Sequence, residues 1–166
     1  MARKGALTHL DERGRARMVD VGAKAETHRM AVASAEVKMK RATLALVEAG
    51  RGGRDGEKGD VISTARLAAI AALKRTADWI PLCHPVRVVG SDVELTADPA
   101  LPGVRVRVEV HAFDRTGVEM EAMVGATAAA LTIYDMVKGV ERGVEVAAVR
   151  LEEKRGGRSG VWRRSR

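Results

Sequence analysis

Residues 104–138 read VRVRVEVHAFDRTGVEMEAMVGATAAALTIYDMVK, and two periodicities meet inside this stretch. From Val104 to Ala112 the side chains alternate. Val104, Val106, Val108 and Val110 fall on one face and Arg105, Arg107 and Glu109 on the other, which is the period of a strand with one buried side. From Thr116 to Lys138 the period lengthens. Met123, Ala126, Ala130, Ile133 and Val137 recur three or four residues apart in a run rich in Ala, Met, Leu and Glu, so one long helix with a buried stripe is predicted. Asp135 and Lys138 fall off that stripe, beside Leu131 and Arg142, which sets an acid and an amine side by side on a flank of the helix. Most such pairs are weak surface ion pairs. The apolar collar of Leu131, Met136 and Val137 argues instead for partial desolvation and a reactive pair.

The rest of the chain supplies partners for that strand and helix. Met30 to Met39 alternates, with Ala31, Ala33, Ala35 and Val37 opposed to Ser34, Glu36 and Lys38, and predicts a strand. A helix over 41–49 should stop at Gly50. A second helix is expected over 61–78, a strand over 86–97, and a last strand over 144–151, bulged where the alternation slips at Ala147 and Ala148. Strand, helices, strand, strand, helix, strand is the order of an α+β fold on the ferredoxin-like split βαβ plan, an antiparallel sheet with helices on one face. We expect one domain over 1–166, with an N-terminal arm (1–24) able to reach a neighbouring chain and a basic, glycine-containing C-terminal loop and tail (154–166). The uncovered sheet face should carry small and apolar residues and bury them in a homo-oligomer.

A composition of 46% hydrophobic residues supports one packed core. The single cysteine, Cys83, cannot form an internal disulfide and fits a reducing compartment. No secretory or membrane-spanning run is legible, so the cytosol is the expected location and no membrane partner is expected. The formal charge of +7 raises nucleic acid as a partner. However, residues 154–166 hold six of the 29 basic residues and no acid, leaving 23 basic against 22 acidic groups in the body. Aromatic residues make up 2% of the chain, too few for a platform on which bases stack. A basic RNA-binding module on the same fold is therefore the weaker reading, and no nucleic-acid partner is expected.

Three further stretches carry candidate chemistry. Gly50 to Gly59 is a glycine-rich loop that brings Lys58 to the mouth of the next helix, suited to capturing an anion although it matches no phosphate-loop fingerprint. Pro81 and Pro85 bracket Leu82, Cys83 and His84, fixing the backbone there. His84 reads as a ligand-facing group able to carry a proton near neutral pH, whereas the want of a second cysteine, and of ligand spacing from His9, His28 and His111, argues against zinc. Gly156-Gly157-Arg158-Ser159-Gly160 combines glycine-freed amides with fixed positive charge and reads equally as a phosphate nest or a solvated tail.

Seven segments, in order over nearly the whole chain, resemble the signature segments of the cyclic pyranopterin monophosphate synthase family, the molybdenum cofactor biosynthesis protein C. They are Met18-Val19-Asp20-Val21, Lys24-Ala25-Glu26-Thr27, Lys58-Gly59-Asp60-Val61, Ile80 to Pro85, Thr116 to Glu121, Leu131 to Met136 and Gly156 to Gly160. The loop before Lys58 is longer than the family pattern, and Arg158 stands where the family has lysine.

The resemblance implies a lyase that converts a cyclised dihydroguanosine triphosphate to cyclic pyranopterin monophosphate with release of diphosphate. It also implies a hexamer of three dimers with sites at a subunit interface. Carried over residue by residue, Asp135 and Lys138 are the catalytic acid/base pair, with Lys58 and His84 beside them. Leu82, Cys83, His84, Glu119, Met120 and Glu121 line the substrate pocket, and Arg29, Lys154 and Arg158 hold phosphates. No metal site and no resident cofactor are implied; magnesium travelling with the triphosphate is left open. Moving protons at nitrogen and oxygen while diphosphate departs is chemistry that lysine, aspartate and histidine handle without a redox centre.

Overall fold

The computed structural model describes residues 7–50 and 60–165, so Lys58 lies outside the described residues. Strand β1 (Thr27–Lys38) is followed by helices α1 (Arg41–Glu48), α2 (Val61–Leu73) and the single turn α3 (Thr76–Trp79). Then come strands β2 (Val88–Asp98) and β3 (Gly103–Asp114), helix α4 (Glu119–Val137), strand β4 (Glu145–Arg155) and the two-residue strand β5 (Trp162–Arg163). The sheet order is β2-β3-β1-β4-β5 with antiparallel neighbours, and its first four strands have the expected ferredoxin-like arrangement.

Composition decides how closely the layers approach. Across the β1–β3 pairing Ala31 faces Val110, Ala33 faces Val108, Ala35 faces Val106 and Val37 faces Val104, so small and branched side chains alternate over one face. All eight are buried. Helix α4 lies on them through Ala122, Ala126, Ala129, Ala130 and Ile133, none with any exposure, and a Cβ added at Gly125 would stand 3.2 Å from Val108 Cγ1. Each buried valine contributes roughly 1.5–3 kcal/mol. Small residues on both layers bring helix and sheet into direct contact without voids.

Local chemistry sets the element ends. Asp60 caps α2 by accepting from the Ser63 backbone N–H at 2.9 Å. The helix expected over 61–78 divides, because the buried Thr76 hydroxyl donates to the Leu73 carbonyl at 3.0 Å and closes the turn before α3. Gly50, at φ +66°, ends α1 as its position predicts.

Two expectations change. The uncovered face is charged: Arg105 pairs with Glu36 (2.7 Å) and Asp98 (2.6 Å), Glu109 with Arg107 (2.5 Å) and His111 (2.9 Å), and Ser34 donates to Glu152 at 2.5 Å. Glu109 and Asp98 are held below their ordinary pKa, first by these hydrogen bonds from Arg107 and Arg105. The outward residues of β3 dominate that face, and no small apolar stripe replaces them. The C-terminal segment, expected as loop and tail from Lys154, instead keeps Lys154 and Arg155 in β4 and returns as β5, where Arg164 N donates to the Glu152 carbonyl at 2.9 Å.

Strand β4 carries two irregularities. Ala147 has no partner between Val146, opposite Val37, and Ala148, opposite Glu36, which is the bulge that the slipped alternation predicts. Glu152 is skipped likewise between Leu151, opposite Ala33, and Glu153, opposite Val32. This second bulge reverses the facing of every later residue. Lys154 is thereby opposite Ala31, on the helix-covered side, rather than on the charged face.

Candidate active site

The sheet and α4 end together around a cavity of about 810 Å³, lined in part by the starts of β1 and α4, the end of β4, the loop at 156–159 and segments of the arm before β1. Arg29 and Lys154 project into it from β1 and β4, and Arg158 and Ser159 from the loop that follows; Lys154 Nζ bonds the Ser159 hydroxyl. Arg29 is held by backbone oxygens alone, donating to the carbonyls of Asp114 (3.1 Å) and Arg115 (3.2 Å). Gly157, at φ +69°, makes room for its guanidinium, on which a Cβ at that position would fall. Among the described residues no carboxylate lies within 4.0 Å of the charged ends of Lys24, Arg29, Lys154 or Arg158. A cavity with that many uncompensated cations is built for an anion of several charges.

His84 and Glu119 join the same wall, so the structure gathers His84, Glu119, Arg29, Lys154 and Arg158 as the resemblance implies. The chain around His84 runs back along α4. Trp79 lies with Leu131 and Asp135, Ile80 packs on Val124 and Ala128, and Cys83 Sγ stands 4.0 Å from Glu121 Oε1. Cys83 and Glu121 are absent from the lining and form a layer behind it, and neither Leu82 nor Met120 lines the cavity.

Glu121 is the most perturbed group. It is 2% exposed, its Oε2 has no hydrogen-bond partner among the described residues, and burial pushes its pKa up to about 7, helped by the charges of Glu119 and Asp114. The Cys83 thiol is pushed up too, by burial first and then by Glu121 and Glu119. Charge pattern alone does not reveal this burial, because Glu119 and Glu121 look alike as first-turn acids.

Asp135 and Lys138 form their pair as the spacing predicts. They do not sit beside His84. The 19-residue helix separates its two ends by about 27 Å. The side chains of Asp135 and Lys138 remain 69% and 55% exposed, and Lys138 is raised above its ordinary pKa by the hydrogen bond to Asp135. The apolar collar expected to desolvate them fails to do so within one chain, since Leu131 is itself exposed. Asp135 instead edges a second hollow of about 390 Å³ between α2 and α4, walled by Ala68, Ala72, Trp79, Ala128 and Leu131.

Residues to which the sequence reading assigns no role in the site also line the main cavity: His9, Lys24, Arg115 and Thr116. Arg115 is oriented by the Gly22 carbonyl at 3.1 Å and by Glu26 at 3.6 Å. Among the described residues there is no cluster of metal-ligating side chains and no helix long and apolar enough to cross a membrane.

Fold and cavity together define a ferredoxin-like α+β protein with a cation-lined pocket at the start of its long helix. The family model of the MoaC family matches residues 18–157, and the chain belongs to that family. A relative from Cereibacter sphaeroides named cyclic pyranopterin monophosphate synthase is 57% identical over 159 residues, 96% of this chain and 98% of its own. One of the same name from Brucella ovis is 54% identical over 158 residues, 95% of this chain and 93% of its own.

Proposed function

We propose that this chain is a cyclic pyranopterin monophosphate synthase of molybdenum cofactor biosynthesis, a lyase that acts on a cyclised guanosine triphosphate and releases diphosphate. The observation that carries the reading is the cavity of unpaired cations around Arg29, Lys154 and Arg158, next to proton-carrying groups. Forming a cyclic phosphate requires a sugar hydroxyl to attack the innermost phosphorus while the bond to the outer two phosphates breaks. The departing diphosphate takes the electron pair, and the cationic wall stabilises its charge. Rearranging the purine part needs proton transfers at nitrogen, for which we assign Asp135 and Lys138 as the acid/base pair, with Lys58 and His84 as further proton carriers. We assign Glu119 and His84, which line the cavity, to hold the base, with Cys83 and Glu121 supporting them from outside its lining. Burial raises the pKa of the Glu121 carboxyl to about 7 and so favours its neutral form beside that wall.

The two ends of α4 act together only if two chains share a site. A two-fold pair with its long helices antiparallel sets Asp135 and Lys138 of one chain against His84 and Glu119 of the other and creates two equivalent sites. The exposed apolar Leu67, Trp79 and Leu131 support contact on the helical layer, and we place three such dimers in a hexamer. The free thiol of Cys83 fits a cytosolic location. Magnesium has no role in this reading beyond accompanying the triphosphate.

An RNA-binding role is not supported. The open sheet face carries paired charges, and Phe113 on it stands edge-on to His28, ring centroids 5.0 Å apart. Incubating the purified chain with the cyclised nucleotide tests the proposal: one diphosphate should appear per pterin formed. Salt-sensitive RNA binding without turnover would overturn it.

A further inference from the structure

The N-terminal arm folds into a small hairpin whose bonds converge on presenting one side chain. Leu10 and Ala16 form an antiparallel bridge, the Arg17 N–H donates to the His9 carbonyl at 2.8 Å, and Gly14 takes φ +74° at the turn. Asp11 holds that turn, accepting from the backbone of Arg13 and Arg15 at 2.9 Å each and from Arg15 Nε at 2.9 Å. These bonds keep its carboxyl below the usual range. His9, one residue before the bridge, lines with Thr8 the same cavity as Arg29, Lys154 and Arg158. Its ring makes no hydrogen bond among the described residues.

A ring without a hydrogen-bond partner among the described residues, at a cation-lined cavity, is available to donate to an anion held there. We propose that His9 is a further substrate-binding residue, donating to the phosphoanhydride part of the substrate, with the 9–17 hairpin as the cover of that site and Asp11 as its positioning residue. The inference rests on reading the cavity as the phosphate site. Its ligand chemistry is a diphosphate group, carried by the nucleotide or free as product.

Calorimetric titration of the full chain with inorganic diphosphate tests it. Loss of one charge-assisted bond predicts affinity roughly tenfold weaker in His9→Ala, and less weakened in His9→Gln, which keeps an N–H donor. Asp11→Ala, which frees the turn, should weaken binding in the same direction. Diphosphate should also slow tryptic cleavage after Arg13 and Arg15 in the parent and not in His9→Ala. Since His9 is exposed, its variants should melt as the parent does. Diphosphate affinity of His9→Ala within about twofold of the parent overturns the role of His9 while leaving the cavity assignment standing. Failure of the parent to bind diphosphate overturns the cavity assignment and this inference with it. Orthophosphate bound as tightly as diphosphate would reduce the cavity to a general anion site and would equally overturn it.

Discussion

The guanidinium of Arg29 occupies the space that a Cβ on Gly157 would need. Strand β1 and the loop after β4 are thus locked together at the cationic end of the cavity, through a contact that only glycine permits at φ +69°.

Gly157→Ala should therefore act on binding before stability. The left-handed backbone costs about 1–2 kcal/mol with a side chain present, which a domain of this size tolerates. Displacement of Arg29 should raise KM for the nucleotide roughly tenfold, with kcat changed less. Steady-state kinetics beside a thermal melt separate the effects. An unchanged KM would remove Arg29 from the phosphate site.

At the other end of α4, replacement of Asp135 or Lys138 distinguishes a surface ion pair from a reacting pair. An exposed pair contributes about 1 kcal/mol or less, so both alanine variants should stay folded. As acid/base groups they should each lower turnover by roughly two to four orders of magnitude. Lys138→Arg keeps the charge but cannot release a proton near neutral pH, and should be nearly as inactive as Lys138→Ala while still binding nucleotide. Substantial activity in Lys138→Arg would make Lys138 an electrostatic clamp.

Sharing of sites between chains predicts complementation. Asp135→Ala and His84→Ala, each of low activity alone, should regain turnover after mixing and exchange of subunits. Random pairing restores about a quarter of the sites to full composition. No recovery, with exchange verified, would place all the chemistry in one chain.

Glu121 predicts the pH dependence of stability. Its carboxyl titrates near 4.5 when solvated and at about 7 when folded, so the folded chain binds the extra proton between those values. Stability should fall as pH rises from about 4.5 to about 7 and level off above. Glu121→Gln should remove this slope, melting above the parent at pH 8 and close to it at pH 5. A melting difference constant from pH 5 to pH 8 would show that Glu121 is not held protonated by folding.

Much of the fold is legible in the sequence because its cause is local. The alternation of Val104 to Val110, the stripe of α4, the stop at Gly50 and the bulge at Ala147 each follow from side-chain period or backbone freedom within a few residues. The pairing of Asp135 with Lys138 is of the same kind, set by one turn of helix.

Other properties were decided by residues far apart in the chain. Lys154 reaches the cavity only because the bulge at Glu152 turns β4 over against β1, a matter of cross-strand register. Glu119 and Glu121 read alike as letters, yet Glu119 lines the open cavity, whereas Glu121 is enclosed beside Cys83, where burial above all raises its pKa. The length of α4 is written in the sequence. That it holds the cationic cavity and the Asp135–Lys138 pair at opposite ends, and so leaves each chain with half of the proposed site, follows only from the rigid geometry of the helix against the sheet.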